Sequence, residues 1–177
     1  KVLVELGRER DDIVVIGADL CGSCRLTKFG DEFPERMFNS GIAEQNMTGV
    51  AAGLAVSGKT VFSSTFAVFA TGRAYYQVRQ SIAYPRLNVK IVATHAGITV
   101  GGDGASHQML EDIALMRVLP NMRVVAPADY NETGKATREI ANEEGPIYMR
   151  MGRSSIPIVT SKDDPFEIGK ASVLKEG

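Results

Sequence analysis

One glycine-rich segment, residues 95–108, carries both histidines of the chain. His95 and His107 lie on either side of Asp103, the segment's only carboxylate, and four glycines are interspersed between the two histidines. The segment follows an apolar run at residues 89–93 that predicts a buried strand, and α/β proteins bind ligands at the carboxyl ends of such strands. Glycines permit unusual backbone angles and the close approach of a ligand. These features favour a binding or catalytic loop over an ordinary surface loop.

Glu44 is a second residue whose surroundings suggest chemistry. It lies one turn into a predicted helix over residues 43–56, which Ser40 or Gly41 could cap. It is either an ordinary first-turn carboxylate facing the helix dipole or an acid that exchanges a proton with a ligand. The second interpretation gains support because burial without a nearby cation favours the protonated form of a carboxyl group. Burial of Glu44 is expected because the residues around it on this helix are apolar, namely Ile42, Ala43, Met47, Val50 and Ala51.

Two aromatic residues could hold a flat ligand. Phe66 and Phe69 are three residues apart and follow a strand predicted to begin at Thr60. They could pack in the core, or they could form a stacking platform for a heteroaromatic ring. The two residues alone leave both interpretations open.

Two further patterns imitate metal sites. Residues 102–104, followed by Asn131, resemble a metal-and-diphosphate motif, but Asn131 is predicted to open a helix after Pro127 and so would not reach a metal. Cys21 and Cys24 would need two more ligands to bind zinc, and the sequence has no second cysteine pair. The sequence therefore predicts no metal site and two incidental thiols.

Alternating strand and helix patterns must position these residues. They predict an α/β fold, with a three-layer, doubly wound, mostly parallel sheet and helices on both faces. Gly49 and Gly53 would let another backbone come close to the helix that carries them, either in tight packing on the sheet or in a subunit contact. Strands are predicted at residues 13–18, at Phe38, from Thr60, and at 89–93, 123–126 and 147–150. Helices are predicted at residues 2–10, 43–56, 73–83, 110–118 and 130–142.

Size and composition limit the function classes. The 177 residues fit one domain. A net charge of -1 and a pI near 6.2 do not show the excess of positive charge that is typical of nucleic-acid binding. No apolar run reaches the roughly 18 residues that a membrane span needs. Two cysteines make no disulfide framework and favour a reducing cytoplasm. We expect a piece of a longer protein, with one domain at residues 1–163 and a linker at 164–177 that leads, through a strand at 168–174, into a further domain.

Several motifs in order resemble one known family. The chain resembles the pyrimidine-binding domain of transketolase, a thiamine-diphosphate enzyme, along nearly its whole length, and several ordered motifs are far more specific than any one of them. The matching segments are residues 17–20, 41–47, 64–66, 95–108, 119–121, 127–129 and 131–132.

The resemblance implies a role for each candidate residue. The glutamate that matches Glu44 hydrogen-bonds N1′ of the cofactor's aminopyrimidine and helps to remove the proton from thiazolium C2, and the phenylalanines that match Phe66 and Phe69 line the aminopyrimidine pocket. Glu44 and His107 are the catalytic candidates. The substrate-binding candidates, which would contact hydroxyls and the phosphate of the sugar, are His95, Asp103, His107, Arg153 and Ser23, with Arg150 as an alternative phosphate ligand to Arg153.

The resemblance also implies what lies outside this domain. In the family, a different domain holds the diphosphate and its magnesium or calcium ion, and the active site forms where that domain of one subunit meets this domain of another in a homodimer. The implied activity is transfer of a two-carbon ketol unit between sugar phosphates, as in the pentose phosphate pathway.

Three related alternatives and one distant alternative remain. Deoxyxylulose-phosphate synthase (1-deoxy-D-xylulose-5-phosphate synthase) shares the pattern at residues 103–104 and 107–108, and residues 73–78 resemble it. The 2-oxo-acid dehydrogenase β-subunits share the Glu44 motif, and a catalytically silent scaffold module would keep the fold without the chemistry. An ordinary nucleotide-binding domain ranks last, because no Gly-x-Gly-x-x-Gly follows the first strand.

Overall fold

A single parallel sheet organises the chain in the computed structural model, which describes residues 1–171 and 173. Its strands are β1 (Ile13–Gly17), β2 (Met37–Asn39), β3 (Thr60–Ser64), β4 (Val89–Ala93), β5 (Arg123–Val125) and β6 (Ile147–Arg150). Within the described residues these six strands are all parallel, in the order β2-β1-β3-β4-β6-β5. β1 and β3 are buried along their whole length, as interior parallel strands must be when helices cover both faces.

Helices connect the strands. They are α1 (Val2–Glu9), α2 (Thr27–Glu32), α3 (Glu44–Val56), α4 (Tyr75–Gln77), α5 (Asp112–Arg117) and α6 (Tyr130–Asn142). Two π-helical segments, Val68–Arg73 and Val78–Ala83, flank α4. Short 3-10 turns occupy Pro34–Arg36 and Ala105–His107. This arrangement confirms the predicted α/β fold.

The side chains of β1 show how the sheet divides the core into two layers. Val14 and Ile16 belong to one apolar cluster, which also contains residues of α3, of the helical stretch 68–83 and of α5. Ile13 and Val15 alternate with them and belong to a second cluster, which contains residues of α1, α2 and α6. Because successive strand residues point to opposite faces, helices lie on both sides of the sheet and give three layers.

Some element boundaries differ from the predictions. The helix predicted at 73–83 is wrong at its start, because helical structure already begins at Val68. The helix predicted at 110–118 spans only Asp112–Arg117, and α2 was not predicted. α2 is short and polar except for the buried Phe29, so it presents too little periodicity to be recognised.

Residues 166–168 lie against the domain. Residues 168–171 form no strand, while Ser172 and Leu174, which the predicted strand at 168–174 also included, lie outside the described residues. Phe166 and Ile168 pack instead against the cluster under α1 and α6. The domain boundary after residue 163 stays a prediction. No helix in the described part of the chain is long and apolar enough to cross a membrane.

Candidate active site

Glu44 is the first residue of α3 and is almost fully buried, with 2% of its surface exposed. The residue before it, Ala43, occupies the cap position, so the predicted cap by Ser40 or Gly41 is wrong. Ser40 is engaged elsewhere, because its hydroxyl donates to the carbonyl of Gly17 at 3.0 Å. The Oε2 atom of Glu44 has no hydrogen-bond partner among the described residues. A buried carboxylate oxygen without a partner is costly, and it marks a place where a ligand donor would be favourable.

Arg73 is a functional candidate that the sequence did not reveal. Its Nη1 lies 3.5 Å from Glu44 Oε2, and its guanidinium carbon lies 5.4 Å from the centre of the Phe69 ring. The condition of burial without a nearby cation is therefore not met at Glu44. The two residues are 29 positions apart in the sequence (73 minus 44). No local pattern connects them, and only the packing of the 68–83 stretch on α3 brings them together.

Four rings form one aromatic cluster beside this pair. Phe66 and Phe69 are nearly parallel, at 11° with their centres 6.1 Å apart. The ring of His95 stacks on Phe66 at 3.6 Å and 16°, so one face of Phe66 is covered from within the chain. His107 meets Phe69 edge-on, with 5.5 Å between ring centres. Because Phe69 is half-buried while Phe66 is buried, Phe69 offers the more accessible surface to a flat ligand.

His95 occupies an unusual backbone conformation directly after Thr94. Its φ of 60° lies in the left-handed region, which non-glycine residues adopt rarely and often at functional sites. Its Nδ1 lies 2.9 Å from the hydroxyl of Thr94. Burial, and next the positive charge of Arg153, lower the pKa of His95, although the carboxylate of Asp103 opposes the change. The ring is therefore mostly uncharged at neutral pH.

The rest of the loop is organised around Arg153. Its Nη1 donates to the carbonyl of Val100 at 2.6 Å. Gly101, at φ 83°, lies so close to this guanidinium that any side chain there would collide with it. His107, in the 3-10 turn that ends the loop, pairs its Nδ1 with the hydroxyl of Ser106 at 2.9 Å. Asp103 is exposed at the tip of the loop.

Arg150 and Arg153 have different surroundings. The Nε of Arg150 donates to Oδ2 of the fully buried Asp112 at 2.8 Å, and the hydroxyl of Tyr148 donates to the same oxygen at 2.7 Å. Burial, together with the adjacent carboxylate, raises the pKa of Tyr148 and keeps its hydroxyl protonated. Arg150 is thus engaged in fastening α5 to β6, while Arg153 is exposed and bonded only through one nitrogen in the hydrogen bonds of the described residues.

The remaining sequence candidates fall into two groups. Ser23 is exposed, but its neighbour Cys24 lies 3.5 Å from Thr94, so the loop after β1 reaches the same edge of the sheet as the histidines. Asn131 is inside α6, where its amide donates to the carbonyl of Thr160 at 2.8 Å. The described residues contain no group of three or more side chains able to hold a metal, and both cysteines are free.

The fold is an α/β domain, and this cluster forms a candidate ligand site at the carboxyl ends of its strands. Residues 1–159 match the family model described as transketolase, pyrimidine binding domain, and the chain belongs to that family.

Relatives and a solved structure agree with this assignment. The chain is 56% identical to a putative transketolase C-terminal section of Methanocaldococcus jannaschii and 40% identical to a 6-deoxy-6-sulfo-D-fructose transketolase subunit of Clostridium sp.. These alignments cover 100% and 99% of this chain, but only 57% and 55% of those proteins. A solved structure described as split gene transketolase, inactive β4 tetramer, is 58% identical, with a TM-score of 0.89 over 99% of this chain and 57% of that one.

Proposed function

We propose that this chain supplies the pyrimidine-binding half of a transketolase active site, in an enzyme that moves a two-carbon ketol unit between sugar phosphates. The observation that carries the proposal is the buried Oε2 of Glu44, which accepts no hydrogen bond from the described residues and lies near the guanidinium of Arg73, with Arg73 also over the ring of Phe69. A carboxylate and an aromatic surface so placed can receive a flat ring that carries nitrogen atoms. The transketolase relatives favour this function over the deoxyxylulose-phosphate synthase and 2-oxo-acid dehydrogenase alternatives.

Thiamine diphosphate is the cofactor that these residues fit. Glu44 would form a hydrogen bond with a nitrogen of the aminopyrimidine, and Phe69 would stack on the ring while Phe66 supports Phe69 from behind. When bound, the cofactor supplies a thiazolium carbon that can carry the ketol unit. Glu44 would then act by holding and exchanging the proton at the ring nitrogen.

The diphosphate of the cofactor requires a partner. Because the described residues lack a cluster of metal-binding side chains, we expect magnesium or calcium and the diphosphate to be held by a second domain. The chain spans little more than half the length of the relatives compared above, which leaves room for further domains in the complete protein. The proposed unit at residues 1–163 would meet the diphosphate-binding domain of another subunit.

We propose that the outward side of α3 forms the interface with the other subunit. Apart from the backbone of their own helix, Gly49 and Gly53 have no atom within 4 Å of the position where a Cβ would stand, so they do not pack on the sheet. Val50 and Val56 are exposed on the same helix. This uncharged surface favours the subunit contact over tight internal packing, and we propose a homodimer as the smallest assembly.

The histidine loop would receive the sugar. His95, Asp103 and His107 would contact hydroxyl groups, with His107 also moving protons, and Arg153 with Ser23 would bind the phosphate. Arg153 is preferred to Arg150 because Arg150 is already paired with Asp112. The Clostridium relative is named for a sulfonated sugar, so the pentose phosphate pathway is one of several pathways in which such a site could serve. The two free cysteines are compatible with the proposed cytoplasmic location.

A substitution at Glu44 tests the proposed function. Glu44→Gln in the complete enzyme should preserve folding and slow exchange of the cofactor's C2 proton by about two to four decades, the usual effect of a positioned acid-base group. Hydrogen-deuterium exchange at C2, followed by NMR after acid quench, measures this step. Glu35→Gln, an exposed change outside the site, is the control. Unchanged exchange in Glu44→Gln would remove Glu44 from its role and favour the silent scaffold.

A further inference from the structure

Thr94 stands between a buried thiol and the ring of His95. Its Oγ1 lies 2.9 Å from Nδ1 of His95 and 3.5 Å from Sγ of Cys24. Thr94 is 9% exposed and Cys24 is 7% exposed, so water has little access to either contact. The three groups form a chain of contacts that leads from the loop after β1 to the histidine at the end of β4.

The backbone of Thr94 is fixed on both sides. Its N–H donates to the carbonyl of Thr65 at 3.2 Å, and its carbonyl accepts from the N–H of Ala67 at 2.8 Å. These bonds extend the pairing of β3 and β4 and hold the backbone of Thr94 in one place. His95 is confined at the same time by its left-handed backbone and by its stacking on Phe66. The Thr94 hydroxyl is therefore the group that selects among the remaining orientations and tautomers of the ring.

The hydrogen bonds that connect Cys24, Thr94 and His95 have a preferred donor-to-acceptor direction. Burial raises the pKa of the Cys24 thiol, so the sulfur carries its proton at neutral pH and can donate to Thr94 Oγ1. A thiol sulfur is a weak acceptor, whereas the free ring nitrogen of a neutral imidazole is a good one. This difference favours donation from the Thr94 hydroxyl to Nδ1, which would leave the hydrogen of the neutral ring on Nε2.

We propose that Thr94 is a positioning residue for His95, and that its hydroxyl, backed by the Cys24 thiol, fixes the ring in the tautomer that keeps Nε2–H as a donor for a sugar oxygen. The statement that the acceptor is a sugar oxygen rests on the proposed function, whereas the statement about the tautomer of His95 does not. Three further titratable or charged groups face the ring, namely Arg153, Asp103 and His107. They are unchanged in the variants below, so a difference between variants reports on Thr94.

NMR of the histidine rings tests the hydrogen bond without any assay of activity. In the complete enzyme, with histidine labelled with ¹⁵N and the His95 signals assigned by their loss in His95→Ala, Thr94→Val should raise the pKa of His95 by about 0.5 to 1. The reason is that the neutral ring loses a donor worth roughly 1 kcal/mol, where 1.36 kcal/mol corresponds to one pKa unit. The ¹⁵N shifts should also show a smaller fraction of the Nε2–H tautomer. Thr94→Ser keeps the hydroxyl and should restore both values.

Thr71→Val is the matched control, because Thr71 is also buried and its hydroxyl donates only to the carbonyl of Ala67, one turn back in its helix. This variant should leave the pKa and the tautomer of His95 unchanged. A His95 pKa and ¹⁵N shifts in Thr94→Val equal to those of the unmodified protein would overturn the proposal, and so would failure of Thr94→Ser to restore them.

A double-mutant cycle tests whether Thr94 acts through His95. Thr94→Val should lower kcat/KM for the sugar donor by about tenfold, as expected for loss of one hydrogen bond that orients a binding group. In the His95→Ala background it should cause no further loss. An equal loss in both backgrounds would show that Thr94 acts by another route and would overturn the proposal. If His95→Ala itself leaves kcat/KM unchanged, the proposed role of His95 fails, while the NMR result still decides the tautomer.

Discussion

Glu44 and Arg73 show two competing uses of one carboxylate oxygen. Arg73 lies near Oε2 of Glu44 and over the ring of Phe69. An aminopyrimidine bound as we propose would need both places, the oxygen for its ring nitrogen and the ring of Phe69 for stacking. Arg73 therefore has to move when the cofactor binds, and its half-exposed side chain, at 55% exposure, leaves it free to do so.

Removing this arginine should tighten cofactor binding. Arg73→Met keeps the length and apolar stem of the side chain but removes the charge that competes for Glu44. Since the arginine of this ion pair is 55% exposed, the pair should contribute as little as a surface pair, ~0.2–1 kcal/mol. The Kd for thiamine diphosphate should therefore fall by between about 1.4-fold and fivefold in the complete enzyme. Calorimetric titration at constant magnesium measures this change, with Arg79→Met as the control on the same helical stretch. Weaker binding in Arg73→Met would mean that Arg73 contacts the cofactor itself.

The site residues differ in how far the sequence could reveal them. Glu44, Phe66, Phe69 and the two histidines could be found because each lies at the carboxyl end of a recognisable strand or at the start of a helix. Arg73 could not, because its role depends on the packing of two helical segments. Neither could the covering of Phe66 by His95, since that stacking requires the left-handed backbone at residue 95.

At the scale of secondary structure, the boundary of a helix can be predicted where the sequence carries a capping residue. The bounds of α6 agree with the prediction because Asp129, just after Pro127, caps the helix by accepting from the N–H of Glu132 at 2.9 Å. The start of the helical stretch at Val68 carries no side-chain cap, and its first turns are π-helical. That stretch is fixed by tertiary packing, so propensity alone places its beginning five residues too late (73 minus 68).

Lys90 joins β4 to the loop between α6 and β6. It is fully buried, and its Nζ donates to the carbonyls of Glu143 at 2.6 Å and Gly145 at 2.8 Å. Burial foremost, and next the charge of Arg123, lower the pKa of Lys90 to about 7. The two carbonyls compensate only part of the loss of water, so the charged lysine is held in the fold at a cost.

The cost of burying the charged form of Lys90 predicts how the free energy of unfolding changes with pH. Because the pKa of Lys90 is near 7 in the folded chain and about 10.4 in the unfolded chain, the unfolded state binds more protons between these values. The penalty is fully present below pH 7, and the free energy of unfolding should rise as pH increases from about 7 towards 10. Urea titrations at several pH values measure the slope, and Lys90→Met should reduce it. An identical slope in Lys90→Met would assign the pH dependence to other groups.

At the scale of the whole molecule, the described residues offer candidate groups for the ring of the cofactor and for the sugar but not for the diphosphate. In the proposed function, Glu44, Phe66 and Phe69 would receive a pyrimidine ring, and His95, Asp103 and His107 would receive a sugar. The described residues hold no cluster of metal-binding side chains for a diphosphate. Charge-assisted bonds to phosphate oxygens and to a bound metal are among the strongest contacts that a cofactor of this kind can make. Most of the binding free energy of thiamine diphosphate should therefore come from outside residues 1–177.

A titration of the isolated chain tests this division of the site. Residues 1–177 alone should fold, since both faces of the sheet are covered by buried apolar clusters, and they should be inactive and bind thiamine diphosphate weakly whether or not magnesium is present. The uncharged outer side of α3 should favour self-association, which sedimentation would detect. Adding the subunit that holds the diphosphate should restore tight, magnesium-dependent binding. Tight, magnesium-dependent binding by the isolated chain would instead place the diphosphate site here, and Asp103 would then be a metal ligand rather than a substrate contact.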